Sequence, residues 1–214
     1  MLEKVALFAG LEASNLADLE KLATIRSFPR HSIIVNEGDD TDCLYVIQSG
    51  KVKVYLSDED GKEVTLTIQG PGDYFGEIAL MDEAPRSASV MTLEDTRCYV
   101  IARRDFEAFL VRTPEVAIHV IRGLTQRLRK LTENVRSLAL MDVYGRIART
   151  LLTLAEEKDG KKFIPQRLTH RDIASMVGSS REMVSRIMKD LTSGGYLTVD
   201  KSGITINEKL PARW

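Results

Sequence analysis

Two stretches of this chain carry chemically capable residue types at short spacing. The first is Gly70-Pro71-Gly72-Asp73-Tyr74-Phe75-Gly76-Glu77-Ile78-Ala79-Leu80, with Arg86 and Ser87 shortly after. It reads as a strand, a tight turn and the start of a short helix. Gly76 permits close backbone approach. The N–H groups of Glu77, Ile78 and Ala79 then face outward at a helix N-terminus, which favours an anion. Arg86 offers a planar fork suited to a phosphate, and Ser87 adds a hydroxyl donor. A carboxylate in an anion site needs a reason, and a sugar hydroxyl donating to Glu77 supplies one. From residue types alone, a structural Glu77–Arg86 ion pair in a turn is the simpler account.

The second stretch runs from Leu168 to Leu191. Thr169 caps a first helix with core residues Ile173, Ala174 and Val177. Gly178 fits a tight turn, and Ser180 caps a second helix with inner residues Val184, Ile187, Met188 and Leu191. Two short helices joined by a glycine turn form a helix-turn-helix. Arg181, Glu182 and Arg186 then stand outward near the N-terminal end of the second helix, the end that enters a major groove. Arginine pairs with guanine O6 and N7, a carboxylate accepts from cytosine N4, and each good contact contributes about 1–3 kcal/mol of discrimination. Thr169, Arg171, Ser180 and Lys189 are placed to touch phosphates. After Gly194-Gly195, Tyr196–Val199 and Ile204–Ile206 make a hairpin, so the motif is winged. A solvated two-helix hairpin is the competing reading, and it leaves the Arg-Glu-x-x-x-Arg face unexplained.

Other chemistries find little support. The histidines, His31, His119 and His170, fall on three different elements, as a turn residue, a helix-surface residue and a residue beside the second stretch. No Ser/His/Asp, Cys/His or Walker pattern occurs, so an enzyme is not expected, and no metal site is expected. Cys43 and Cys98 lie in strand-like segments and read as buried thiols in a reducing compartment. Two cysteines cannot build a four-cysteine iron–sulfur cluster.

The elements that must position these stretches follow from hydrophobic period. Residues 3–26 read as short helices, with Ser14 capping one whose core face is Leu16, Leu19, Leu22 and Ala23. From about Ser27 to Ile101, short β-branched or alternating runs are punctuated by Gly38-Asp39, Ser49-Gly50, Asp60-Gly61 and Gly70-Pro71-Gly72-Asp73. Such even spacing implies an antiparallel barrel or roll. Helix resumes at Arg104–Val111. A long helix then spans roughly Glu115 to Leu140, about 39 Å at ~1.5 Å per residue. Its apolar residues Ala117, Ile121, Leu124, Leu128, Leu131, Val135 and Leu138 step by 4, 3, 4, 3, 4 and 3. That is the period of a coiled-coil seam, although an amphipathic helix packed on its own domain shows a similar pattern. Arg122, Arg127, Arg129, Lys130, Glu133 and Arg136 occupy the other faces, which are therefore expected to face solvent. Met141-Asp142-Val143 interrupts the period. Asp142 is expected to cap a new helix from Val143 to about Glu157, with a hinge between, and residues 158–162 form a polar turn.

Composition agrees with two folded parts. A hydrophobic content of 43% and a charged content of 29% describe an ordinary globular protein able to bury a core. No apolar run approaches the ~18 residues of a membrane span. Met1-Leu2-Glu3-Lys4 lacks the pattern of a signal peptide, so a cytoplasmic location without membrane contact is expected. The net charge of −1 conceals an asymmetry: residues 1–113 hold 12 Lys+Arg against 20 Asp+Glu, and residues 114–214 hold 18 against 11. The basic half is the candidate for a polyanion.

From Leu7 to about Arg213 the chain resembles bacterial regulators of the cyclic AMP receptor protein/fumarate-nitrate regulator family. The resemblance rests on Phe75-Gly76-Glu77-Ile78-Ala79-Leu80 with Pro85-Arg86-Ser87-Ala88-Ser89-Val90, on Gly38-Asp39 through Val54, and on the helix-turn-helix. It implies an α+β fold with three parts: a jelly-roll-like antiparallel β-roll at 1–113 that binds a cyclic nucleotide, a coiled-coil dimerisation helix at 114–141, and a winged helix-turn-helix at 142–214. It implies that Gly76 and the amides of Ile78 and Ala79 meet phosphate or sugar. Glu77 accepts from the ribose 2′-hydroxyl, and Arg86 and Ser87 hold the cyclic phosphate. In the family, two adjacent hydroxyl residues on the long helix meet the adenine. Here that pair is Leu131-Thr132, so Thr132 keeps a donor and Leu131 does not. Leu66 and Thr67 are further candidates for the base environment. Cyclic AMP is the first expected effector, with cyclic GMP, a cyclic dinucleotide, or a ligand-independent or haem-sensing relative as alternatives. Arg181, Glu182 and Arg186 match base-reading positions and imply a half-site like TGTGA within palindromic double-stranded DNA. His170 stands where the family usually has arginine. A homodimer through residues 117–138 and contact with RNA polymerase are implied as well, with no resident cofactor or metal.

Overall fold

The computed structural model describes residues 2–158, 160–165, 168–200 and 202–210. Asp159, in the expected polar turn, and residues 211–214 at the end of the third expected part lie outside them. The chain divides into two compact units: residues 1–58 with 65–129, and residues 59–64 with 130–214.

In the first unit, single-turn helices at Leu2–Lys4 and Ala6–Phe8 precede α1 (Ala13–Leu22). Eight strands follow: β1 (Thr24–Phe28), β2 (Ile33–Val35), β3 (Cys43–Ser49), β4 (Val52–Ser57), β5 (Glu63–Gln69), β6 (Tyr74–Phe75), β7 (Ser89–Thr92) and β8 (Thr96–Ala102). They form two four-stranded sheets, ordered β1-β8-β3-β6 and β2-β7-β4-β5. The pairings resolved in register are antiparallel, as the alternating, turn-punctuated sequence predicts. The inner residues Val35, Tyr45, Ile47, Val52, Phe75, Val90, Cys98 and Val100 form one core between the sheets. A second core joins the N-terminal helices to β3, β8, α3 (Arg103–Arg112) and the first half of α4 (Pro114–Leu140). Strand β6 and α2 (Glu77–Asp82) are set directly in line, with Gly76 between them. Both cysteines are free thiols. Burial pushes both upward, Cys98 to about 12, so they stay protonated at neutral pH.

The long helix differs from the expectation on its inward side. Of the seven expected seam residues, Ile121, Leu128, Leu131, Val135 and Leu138 are exposed, whereas Ala117 is half-buried and Leu124 packs into the unit's own core. A second stripe, Val116, Val120, Gly123 and Arg127, also steps by 4, 3 and 4. Val116 and Val120 are fully buried in the unit's own core, with Leu124 packed beside them. Arg127, expected to face solvent, belongs to this inward stripe. His119, expected on the helix surface, is half-buried, with Nδ1 3.2 Å from the Leu7 carbonyl.

In the second unit, Asp142 caps α5 (Val143–Leu154) by accepting from the Gly145 N–H at 2.7 Å. Helix α5 ends three residues before the expected Glu157. The sequence from there forms β9 (Glu156–Lys158) and β10 (Lys161–Ile164), a hairpin the periodicity did not reveal. Helices α6 (His170–Val177) and α7 (Arg181–Ser193) follow, then β11 (Leu197–Val199) and β12 (Ile204–Ile206). The sheet order is β11-β12-β10-β9. Ile147, Leu151, Ile173, Val184, Leu191 and Ile204 are at the centre of its core.

Candidate functional site

Glu77 opens α2 and is 1% exposed. The Arg127 guanidinium donates through Nη1 to Glu77 Oε1 and through Nη2 to the Tyr74 carbonyl. It lies 4.5 Å above the Tyr74 ring, a cation–π contact. Glu77 Oε2 is buried and has no hydrogen-bond partner among the described residues. Burial pushes the Glu77 carboxyl above its usual range, and the opposing pull of Arg127 and the backbone does not cancel this. The site therefore holds an acceptor that lacks a donor, and a ligand hydroxyl is chemically suited to it. The simpler reading of the sequence, a Glu77–Arg86 pair, is not what the structure builds. The partner is Arg127. The signal that reveals it is an arginine standing on the otherwise small and apolar 116–120–123 stripe.

Arg86 is 4% exposed. Its Nε donates to Thr41 Oγ1 at 2.9 Å, Nη1 to the Gly76 carbonyl at 2.6 Å and Nη2 to the Cys43 carbonyl at 2.7 Å. All three acceptors are neutral. Burial pulls the guanidinium below its usual range. A guanidinium has five N–H groups, so this one keeps donors to spare while its plane is fixed. Gly76 sits in the left-handed region with φ 86°. A Cβ there would meet Arg86 Nη1 at 2.5 Å and the Cys43 carbonyl at 2.7 Å. Glycine is thus required at this position for both backbone angle and space.

The structure brings Gly76, Glu77 and Arg86 into one cluster. Ala79 is buried, while Ile78 and Ser87 are exposed. Leu66 and Thr67 are half-buried on β5. Leu131 and Thr132 lie on α4 within the second unit, both exposed. Residues missed in the sequence are Arg127, Thr41 and Tyr74. Thr41 carries no local signal, because its role comes from a loop meeting Arg86 across 45 positions of chain.

In the second unit the two-helix geometry is well determined by its caps. Thr169 Oγ1 accepts from the Asp172 N–H at 3.1 Å, and Asp172 accepts from the Thr169 N–H at 2.8 Å, a closed capping box. Ser180 Oγ accepts from the Met183 N–H at 3.2 Å. Gly178, with φ 61°, ends α6. Val184, Met188 and Leu191 face inward. Thr169, Arg171, Ser180, Arg181, Glu182, Arg186 and Lys189 are all exposed. Arg181, Glu182, Arg186 and Lys189 share one face of α7 with Ser185, a residue not singled out from the sequence. Met141 and α6 are tied together by Arg146, whose Nη1 donates to the Met141 carbonyl at 2.9 Å and Nε to the Val177 carbonyl at 2.7 Å. Among the described residues no helix is long and apolar enough to cross a membrane. Among them, too, no group of three or more His, Cys, Asp or Glu stands together as a metal site.

A roll with a buried Gly-Glu/Arg cluster, followed by a capped helix-turn-helix with a basic outer face, defines a class: DNA-binding regulators that carry a sensory β-roll. Comparison with known proteins agrees. Residues 25–113 match the cyclic nucleotide-binding domain family, and residues 145–209 match the Crp-like helix-turn-helix domain family. The chain is 34% identical over 212 residues to the CRP-like cAMP-activated global transcriptional regulator of Mycobacterium tuberculosis, covering 97% of this chain and 95% of that one. It is 34% identical over 183 residues to the cyclic AMP receptor protein of Thermus thermophilus, covering 86% and 83%. Among solved structures, the c-di-GMP responsive global regulator CLP of Xanthomonas campestris matches with a TM-score of 0.81 at 25% identity, over 92% of this chain and 100% of that one. The Thermus thermophilus catabolite activator protein matches with a TM-score of 0.58 at 32% identity, over 95% and 94%. The chain belongs to the CRP/FNR family of transcription regulators.

Proposed function

We propose that this chain is a homodimeric transcription regulator whose DNA binding is gated by a cyclic nucleotide, cyclic AMP in the first place. The observation that carries the reading is the buried, partnerless Glu77 Oε2 beside a buried Arg86 held by three neutral acceptors. A buried acceptor and a buried cation both gain from a ligand that carries a hydroxyl and an anion together. In this reading Glu77 takes the ribose 2′-hydroxyl. The spare N–H groups of Arg86, the Ser87 hydroxyl and the backbone at Gly76, Ile78 and Ala79 hold the cyclic phosphate. Leu66 and Thr67 on β5 are the roll's candidates for meeting the base. The two relatives described by name as a cAMP-activated regulator and a cyclic AMP receptor protein support the same effector. A second reading, a guanine-containing effector such as a cyclic dinucleotide, is favoured by Leu131 in place of a hydroxyl and by the c-di-GMP responsive regulator among the structural matches.

The domains would be 1–113 for the ligand, 114–141 for dimerisation and 142–214 for DNA. The exposed seam Ile121, Leu128, Leu131, Val135 and Leu138 supports self-association between residues 117 and 138. Because Glu77 is bonded to Arg127 on α4, a ligand donating to Glu77 acts directly on the long helix. The hinge at Met141 then sets the two recognition helices about 34 Å apart, one DNA turn. Arg181, Glu182 and Arg186 would read base edges in a TGTGA-like half-site. Thr169, Arg171, Ser180 and Lys189 would hold phosphates. Action as a regulator rather than an enzyme, in the cytoplasm and in contact with RNA polymerase, completes the proposal.

Calorimetric titration with cyclic AMP, cyclic GMP and cyclic di-GMP tests the ligand half. Cyclic AMP is expected to bind, and Arg86→Leu to weaken it by at least about tenfold, the usual cost of losing a hydrogen bond to a charged group. Ser87→Ala, on an exposed side chain, gives a milder loss in a fully folded protein. Absence of binding by all three nucleotides would sink the reading.

A further inference from the structure

Gln69 is the last residue of β5 and is 6% exposed. Its Nε2 donates to the Tyr74 carbonyl at 3.0 Å. That same carbonyl accepts from Arg127 Nη2. Because a carbonyl only accepts, the amide nitrogen of Gln69 must face it, and the orientation of the side-chain amide is thereby fixed. Gln69 Oε1 then points the other way. It is buried and has no hydrogen-bond partner among the described residues.

A half-satisfied amide is a costly choice in a core, where an aliphatic side chain fills the same space without penalty. Two such acceptors occur in one cluster. Gln69 and Arg127 share the Tyr74 carbonyl, and Arg127 also holds Glu77, whose Oε2 is the second such acceptor of this cluster; Gln48 Oε1 is a further one, outside it. Side chains alternate along a strand, so Gln69 lies on the same face of β5 as Thr67, a residue assigned above to the base environment. A 3′,5′-cyclic nucleotide has one free ribose hydroxyl, the 2′-hydroxyl, and Glu77 accounts for it. The remaining donors of such a ligand are on its base.

We propose that Gln69 is a specificity-determining residue of the ligand pocket, its Oε1 accepting a hydrogen bond from an exocyclic amine of the bound purine. This rests on the cyclic-nucleotide reading of the site. The amine is N6 in adenine and N2 in guanine, and the two sources are separable by deleting each in turn.

The experiment is calorimetry on the full chain with matched ligand pairs. Cyclic AMP is compared with purine riboside 3′,5′-cyclic monophosphate, which lacks the N6 amine. Cyclic GMP is compared with cyclic IMP, which lacks the N2 amine. The native protein prefers the amine-bearing member of one pair by about 5- to 30-fold, the range for one hydrogen bond in a buried site. In Gln69→Leu that preference falls to within about twofold, while the preference for cyclic AMP over its 2′-deoxy analogue persists because Glu77 is untouched. Should Gln69→Leu not fold, Gln69→Met tests the same point with a flexible, near-isosteric side chain. Equal weakening of both members of a pair, with their ratio intact, overturns the proposal and leaves Gln69 only a support for Tyr74. Loss of the 2′-hydroxyl preference in Gln69→Leu also overturns it, moving the donor to the ribose. No discrimination by the native protein overturns it as well. Failure of the native protein to bind any of the ligands overturns the cyclic-nucleotide reading itself, a result distinct from binding with an unchanged ratio.

Discussion

At Glu77, burial and pairing act in opposite directions, and burial prevails. Desolvation raises the carboxyl above 4.5 despite the attraction of Arg127 and, more weakly, Arg86. The folded state therefore holds a proton on this group at pH values where the unfolded chain has released it. Stability from this group is present below the unfolded value and is lost as pH rises from about 4.5 through the raised folded value. Urea unfolding of the ligand-free protein should show the native chain losing stability relative to Glu77→Gln across that window. Parallel pH profiles for the two would contradict the assignment. The sequence made Gly76, Glu77 and Arg86 recognisable because a turn, a helix start and a nearby arginine are local signals. Which arginine pairs with Glu77 depends on the docking of α4, 50 residues away, and no local pattern around Glu77 contains it.

At the level of elements, α4 has two faces of different character. The 121–128–135 stripe is apolar and exposed, while on the 116–120–123–127 stripe Val116 and Val120 are buried in the roll's own core and Gly123 and Arg127 are half-buried. The seam was readable because the apolar residues repeat without interruption. The inward stripe was hidden because it is short and includes Gly123 and Arg127. The caps of α5, α6 and α7 were readable for the opposite reason: Asp142, Thr169 and Ser180 each act on the N–H group three residues on. The β9–β10 hairpin was not, because Glu156–Lys158 and Lys161–Ile164 are charged and brief, and the strand that pairs with Lys161–Ile164 comes forty or more positions later. Gly178 joins the two helices with φ 61°, and a Cβ there would meet Leu138 Cδ2 at 3.0 Å. Gly178→Ala should therefore cost about 1–2 kcal/mol and lower the thermal midpoint in a calorimetric scan. An unchanged midpoint would show that the turn does not require its left-handed residue.

For the whole molecule, the acidic front half and basic back half match a roll that binds a small ligand and a domain that meets DNA. That division is visible in the charge count alone. The extent of each compact unit is not, because residues 59–64, which include the first two residues of β5, group with 130–214 rather than with the rest of the first unit. The seam, the hinge and the Glu77–Arg127 bond together make one claim: ligand occupancy decides DNA affinity. Fluorescence anisotropy with a duplex carrying two TGTGA half-sites, at one fixed salt concentration, tests it directly. Cyclic AMP or another cyclic nucleotide should lower Kd by about tenfold or more, a coupling of about 1.4 kcal/mol, and Arg86→Leu should remove the difference. An identical Kd with and without every cyclic nucleotide would contradict the account.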